Sequence, residues 1–252
     1  MRRLWRVVGA GFAVCALAVS ALQVLGLLSL DSSIVRRSVP GDGVTTLVVQ
    51  ADQGSVEIVG GGSERVSVEA RVRRSLVDAD VEVRRDGGRV VVEGTCPGFS
   101  PGVCAVDLVV RAPSSLAVEV EGRDGDVAVR DVRSSVAIST VDGDVVATGI
   151  GGSLAVDVTD GDVLASGLAD RAEVSTRNGA VGLSFATAPA AVSVDTGDGE
   201  VDVVVPDGPE TYRVDATSGD GTVDTRVRTD PASGRTIVLR SGDGSLTVRY
   251  PA

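Results

Sequence analysis

The stretch Val136-Ala-Ile-Ser-Thr-Val-Asp-Gly-Asp-Val-Val-Ala147 alternates aliphatic with small or polar residues on both sides of an Asp-Gly pair. Period-2 alternation makes each arm a β-strand with one face turned to a core. The glycine marks the turn, since it takes φ > 0 at no steric cost. The unit recurs at Gly125, Gly143, Gly161, Gly179, Gly199, Gly221 and Gly244, at spacings of 18, 18, 18, 20, 22 and 23 residues. Two residues after each glycine stand Val127, Val145, Val163, Val181, Val201, Val223 and Leu246. Seven before come Val118, Val136, Leu154, Ala172, Val192, Val214 and Ile237. A looser copy runs through Leu47, Val49, Gly54, Val56 and Ile58.

A near-constant period with fixed aliphatic columns predicts an all-β solenoid, in which each rung stacks its inward residue on the same residue of its neighbours. The rival is a meandering sandwich, because Asp-Gly is also a strong hairpin turn. The constancy of the first four turns favours the solenoid, with seven rungs making a column of about 34 Å. The repeat occupies 116–252. Residues 44–115 form an N-terminal β section without the strict period, suited to cap or flank the column, and 31–43 read as a stalk.

Composition agrees. Aromatic residues make up 2% of the chain and 32 positions are Gly, so the core must be built from Val, Leu, Ile and Ala. Every basic residue is Arg, and His is absent. The commonest general base and metal ligand are therefore missing, together with the lysine of Schiff-base chemistry. Net charge is −11 overall, and −14 once Arg2, Arg3 and Arg6 are set aside. So acidic a body argues against nucleic acid or anionic headgroups as partners, for want of charge to neutralise phosphate.

Val7 to Leu30 is an uncharged run of 24 residues preceded by three arginines. As a helix it would span roughly 36 Å. The basic flank places the N-terminus in the cytoplasm and the rest outside. This predicts residues 1–30 as a cytoplasmic stub and transmembrane signal-anchor of a single-pass protein at the cell membrane. A cleaved signal peptide is the alternative, with small residues at Val19-Ser20-Ala21, although the apolar run continues past them. Cys96 and Cys104 form an even pair, and export favours closing them as a disulfide.

The pattern Val-x-Val-x-Thr-x-Asp-Gly-Asp-Val-x-Val, clear at Val136 to Ala147 and looser at Leu154 to Ala165, resembles the bacterial adhesin-type β-strand-repeat family (domain of unknown function 4097). The likeness covers roughly residues 44–250, including a stretch of strand followed by Ala-Pro at Val109 to Pro113. It implies a solenoid-like ectodomain, often membrane-tethered, without established catalytic residues.

One constellation carries potential chemistry. Asp142 and Asp160 precede their glycines, and Asp144 and Asp162 follow them. Stacked rung on rung, they are weak calcium candidates, since Ca²⁺ takes 6–8 oxygens and would relieve their repulsion. The plainer reading is turn chemistry, in which Asp bonds its own backbone beside a glycine. The Gly-Gly-x-Gly-x-Asp nonapeptide of calcium β-rolls is absent. Neither a cofactor nor a catalytic set is expected. Three functions remain: a non-catalytic adhesion, scaffold or binding role toward an envelope protein or glycan, an envelope-stress sensing accessory, or a carboxylate-based polysaccharide-acting β-helix enzyme.

Overall fold

The computed structural model describes residues 31–74, 79–96 and 104–251. The expected transmembrane helix lies outside them. Among the described residues there are 21 strands and no helix. The strands form two sheets of eleven and ten members.

The repeat folds as its alternation dictates. β10 (Val136–Asp142) lies in one sheet and β11 (Val145–Thr148), just past Gly143, lies in the other. The Asp-Gly turn is thus an arc between sheets and not a hairpin, which settles the architecture against the meander. β10 pairs in parallel with β8 (Ala117–Asp124) and β12 (Leu154–Asp160), aligning Val136 with Val118 and Leu154. β11 pairs in parallel with β9 (Val127–Arg130) and β13 (Val163–Leu168), aligning Val145 with Val127 and Val163. Val136, Ile138, Val145 and Val163 are buried, while the alternate residues Ala137, Ser139 and Val141 are exposed. Burying such a side chain stabilises by roughly 1.5–3 kcal/mol.

The rungs continue through β14 (Arg171–Asn178) with β15 (Val181–Phe185), then β16 (Ala191–Asp198) with β17 (Val201–Val204). The order then departs from the sequence. β20 (Thr236–Asp243) and β21 (Leu246–Arg249) stack directly on β16 and β17, while β18 (Arg213–Ser218) and β19 (Val223–Arg226) lie outside them. The chain runs past one level, builds the outermost rung, and returns to fill the gap. The connectors before β18 and β20 are longer than those between earlier rungs; the first steps out two levels and the second steps back one.

The looser early copy is a rung in register with the repeat. β2 (Thr46–Gln53) aligns Leu47 with Val118, and β3 (Val56–Gly61) aligns Val56 with Val127. β6 (Arg89–Thr95) and β7 (Cys104–Pro113) add another on its far side. The seven expected rungs are therefore nine. Three antiparallel strands close that end: β5 (Asp80–Asp86) on β6, and β4 (Arg65–Arg74) on β7, followed by β1 (Asp31–Pro40) on β4. Residues 31–43, expected as a stalk, thus hold an edge strand ten residues long. Val35 and Val39 pack partly against the core, and pairing with β4 along its whole length makes the segment a strand.

Candidate functional site

The arcs carry the carboxylates singled out in the sequence. Stacking brings Asp142 level with Asp160, with Asp124 and Asn178 on either side. Asp144 and Asp162 form a second file across the glycines. The second file has defined work. Asp126 Oδ1 accepts the Asp144 amide at 3.1 Å, Asp144 Oδ1 accepts the Asp162 amide at 2.9 Å, and Asp162 Oδ1 accepts the Ala180 amide at 2.8 Å. Each carboxylate thereby ties its rung to the next. In the first file the Asn178 side-chain amide donates to Asp160 Oδ1, replacing a repulsive contact with an attractive one. Among the described residues no group of three or more Cys, Asp or Glu side chains is placed to hold a metal ion.

Successive arcs approach so closely that their glycine positions tolerate no side chain. Gly143 has φ of 137°, and a Cβ there would stand 2.4 Å from Gly125 O. The same overlap, at 2.2 Å, faces Gly161 against Gly143 O. Backbone amides run through the arcs as well, Gly125 N to Asp142 O at 2.9 Å and Gly143 N to Asp160 O at 3.1 Å.

The outer face of the ten-stranded sheet bears a shallow trough of about 500 Å³ floored by Ala137, Ser139 and Ala155. Its rims carry Glu119, Glu121, Asp157 and Glu173. Glu119 is held by Arg89 at 2.6 Å, and Glu121 accepts from Gln50 at 2.7 Å. Asp157 and Glu173 are exposed, without the apolar walls that a carboxylic general acid requires. No aromatic side chain lines the trough.

Among the described residues, three groups elsewhere are electrostatically perturbed. The Glu69 carboxyl is held below the ordinary glutamate range, first by the hydrogen bond from Arg36 and then by its charge, with Arg71 and Arg111 adding to it. Burial pushes the Tyr212 phenol up, and among the described residues its hydroxyl has no hydrogen-bond partner. The hydrogen bond to Asp202 raises Arg249, whose guanidinium grips that carboxylate at 2.7 and 3.0 Å. Cys96 and Cys104 are joined. Because β6 and β7 belong to different sheets, this disulfide staples the sheets across the rung.

No curated protein matches the chain in sequence. Among solved structures, a putative adhesin from Bacteroides fragilis NCTC 9343 superposes with a TM-score of 0.50 at 12% identity, covering 87% of this chain and 97% of that one. A putative cell adhesion protein from Clostridium sporogenes ATCC 15579 gives a TM-score of 0.41 at 13% identity, covering 88% of this chain and 100% of that one. The first likeness bears on fold alone. The family model described as Toastrack DUF4097 matches residues 117–249, more than half of the sequence and all of the regular rungs. The chain therefore belongs to the Toastrack DUF4097 family.

Proposed function

We propose that the protein is a membrane-anchored, exported β-solenoid with a non-catalytic adhesion, scaffold or binding role at the cell envelope. The observation that carries this reading is the strict alternation of the rungs. It spends the apolar side chains on the core and leaves two broad, rigid, solvent-facing sheets. Such surfaces suit recognition of an extended partner, whereas the carboxylates at arcs and trough are committed to hydrogen bonds or stand open to water. The inter-sheet disulfide fits an oxidising compartment, and the uncharged run from Val7 to Leu30 supplies an anchor. The name borne by the Bacteroides fragilis neighbour, an adhesin, points the same way.

Intact-mass analysis and cell-surface crosslinking of the full chain in its native membrane test the reading together. The expected result is a mass that retains residues 1–30 and crosslinks to an envelope protein or glycan. A mature N-terminus near Leu22 would replace anchoring with secretion. Turnover of an acidic polysaccharide, lost on replacing Asp157 or Glu173, would replace binding with catalysis.

A further inference from the structure

The net charge of the chain conceals a basic face. In β4, Val66, Val68, Ala70 and Val72 are buried, so Arg65, Ser67, Glu69, Arg71 and Arg73 point the other way. In β7, Val106, Leu108 and Val110 are buried, so Asp107 and Arg111 point outward. Antiparallel register sets Arg36 of β1 beside Glu69 and sets Arg111 beside Ser67. Arg130 of β9 extends the face across β3, where Glu57 also points outward.

This one surface thus carries Arg36, Arg65, Arg71, Arg73, Arg111 and Arg130 against Glu57, Glu69 and Asp107. That is a net of +3 on a body that is otherwise strongly acidic. The acids are already committed, Glu69 to Arg36 at 2.9 Å and Asp107 to Arg73 at 2.9 Å. Among the described residues no carboxylate pairs with Arg71 or Arg111. The depressed Glu69 carboxyl reports the same positive field. Ile34, 52% exposed, stands opposite Arg71 and adds an aliphatic side chain among the arginines.

Position selects the partner. β1 is the outermost strand of this wing and begins at Asp31, directly after the uncharged run that ends at Leu30. A chain leaving a bilayer there sets the β1 edge of this wing, and the arginines beside it, nearer the membrane surface than the rungs that follow. We propose that the outward face of β1, β4 and β7 rests on anionic phospholipid headgroups, with the guanidinium groups bonding phosphate oxygens. Arginine suits this because its planar fork matches phosphate bidentately. The carboxylate files at the arcs are repelled by the same surface, so attraction and repulsion together fix how the column stands. Net charge alone argued against anionic lipid, and the segregation of charge reverses that argument.

The inference rests on the anchored reading, and the test separates the two. The full-length chain is reconstituted in nanodiscs of phosphatidylglycerol or of phosphatidylcholine and labelled with phenylglyoxal, and arginine modification is read by mass spectrometry. Arg36, Arg71 and Arg111 are expected to be protected several-fold in phosphatidylglycerol only, with protection lost at high salt, while Arg226 and Arg228 at the far end label equally in both. The double variant Arg71→Gln, Arg111→Gln should relieve protection of Arg36 and Arg65 while leaving thermal unfolding unchanged. Equal labelling of Arg71 and Arg111 in the two lipids overturns the inference, as does protection by a soluble polyanionic glycan but not by phosphatidylglycerol. If the chain does not remain with the nanodiscs, the anchored reading fails. The same labelling with added phosphatidylglycerol vesicles then decides the face by itself.

Discussion

Replacing Gly143 with Ala tests the stacking of the arcs at the point where it has least slack. The added Cβ would lie 2.4 Å from Gly125 O and 2.6 Å from Gly125 C. Real Cβ contacts do not fall below 3.0 Å, so the two rungs must part by about 0.6 Å. That lengthens the nearby bonds Gly125 N to Asp142 O and Val127 N to Asp144 O, both 2.9 Å, to roughly 3.5 Å, beyond good geometry. Weakening the pair costs about 1–3 kcal/mol at 0.5–1.5 each. The backbone at φ 137° adds about 1–3 kcal/mol for a non-glycine residue.

The expected loss is therefore about 2–6 kcal/mol, comparable with the whole stability of a typical domain. Gly62 is the control, since a Cβ there meets nothing within 4 Å, and Gly62→Ala should shift stability by less than about 1 kcal/mol. Urea unfolding of the full chain in mild detergent, followed by far-ultraviolet circular dichroism, compares the two. Equal midpoints for Gly143→Ala and Gly62→Ala would refute the close approach of the arcs, and with it the in-register stack.

Four further outcomes are expected. Val163→Asp places a carboxylate at a position 1% exposed between Val145 and Val181 and should cost several kcal/mol; thermal unfolding unchanged from wild type would break the register. Asp162→Ala removes the acceptor for the Ala180 amide and should cost about 0.5–1.5 kcal/mol, with a melting point indifferent to calcium or chelator in both proteins. A calcium-dependent shift abolished by this variant would instead make the arcs a metal site. Separating Cys96 from Cys104 as the double alanine variant should cost a little under about 3 kcal/mol, read by urea midpoint, and both native thiols should resist alkylation until reduced. Because the Glu69 carboxyl is depressed by Arg36, its contribution to stability is present above the ordinary glutamate range and lost as pH falls through the folded value. A carboxyl NMR titration should show Glu69 returning upward in Arg36→Gln.

The sequence carried the rungs because alternation and period are local properties that survive without knowledge of partners. Val136, Val145 and Val163 occupy columns whether or not their neighbours are known, and the glycine follows from the turn. Gly143 was legible as a turn residue. Its contact with Gly125 O was not, since that depends on how closely two rungs approach. Rung order was hidden for a related reason. The unit ending at Gly244 and the one ending at Gly221 carry equivalent residues, so exchanging them preserves every column. The trace left in the sequence is the spacing, which grows from 18 to 22 and 23 where one connector crosses two levels and the next steps back one. Asp162 reads as turn chemistry in the sequence because an aspartate beside a turn glycine explains itself locally, whereas its acceptor role links residues 18 apart. The basic face was the least legible feature. Arg36, Arg71 and Arg111 are far apart in the chain, and two antiparallel pairings bring them together. Net charge averages over surfaces that never meet the same partner, so the property that decides binding here is the one that composition cancels.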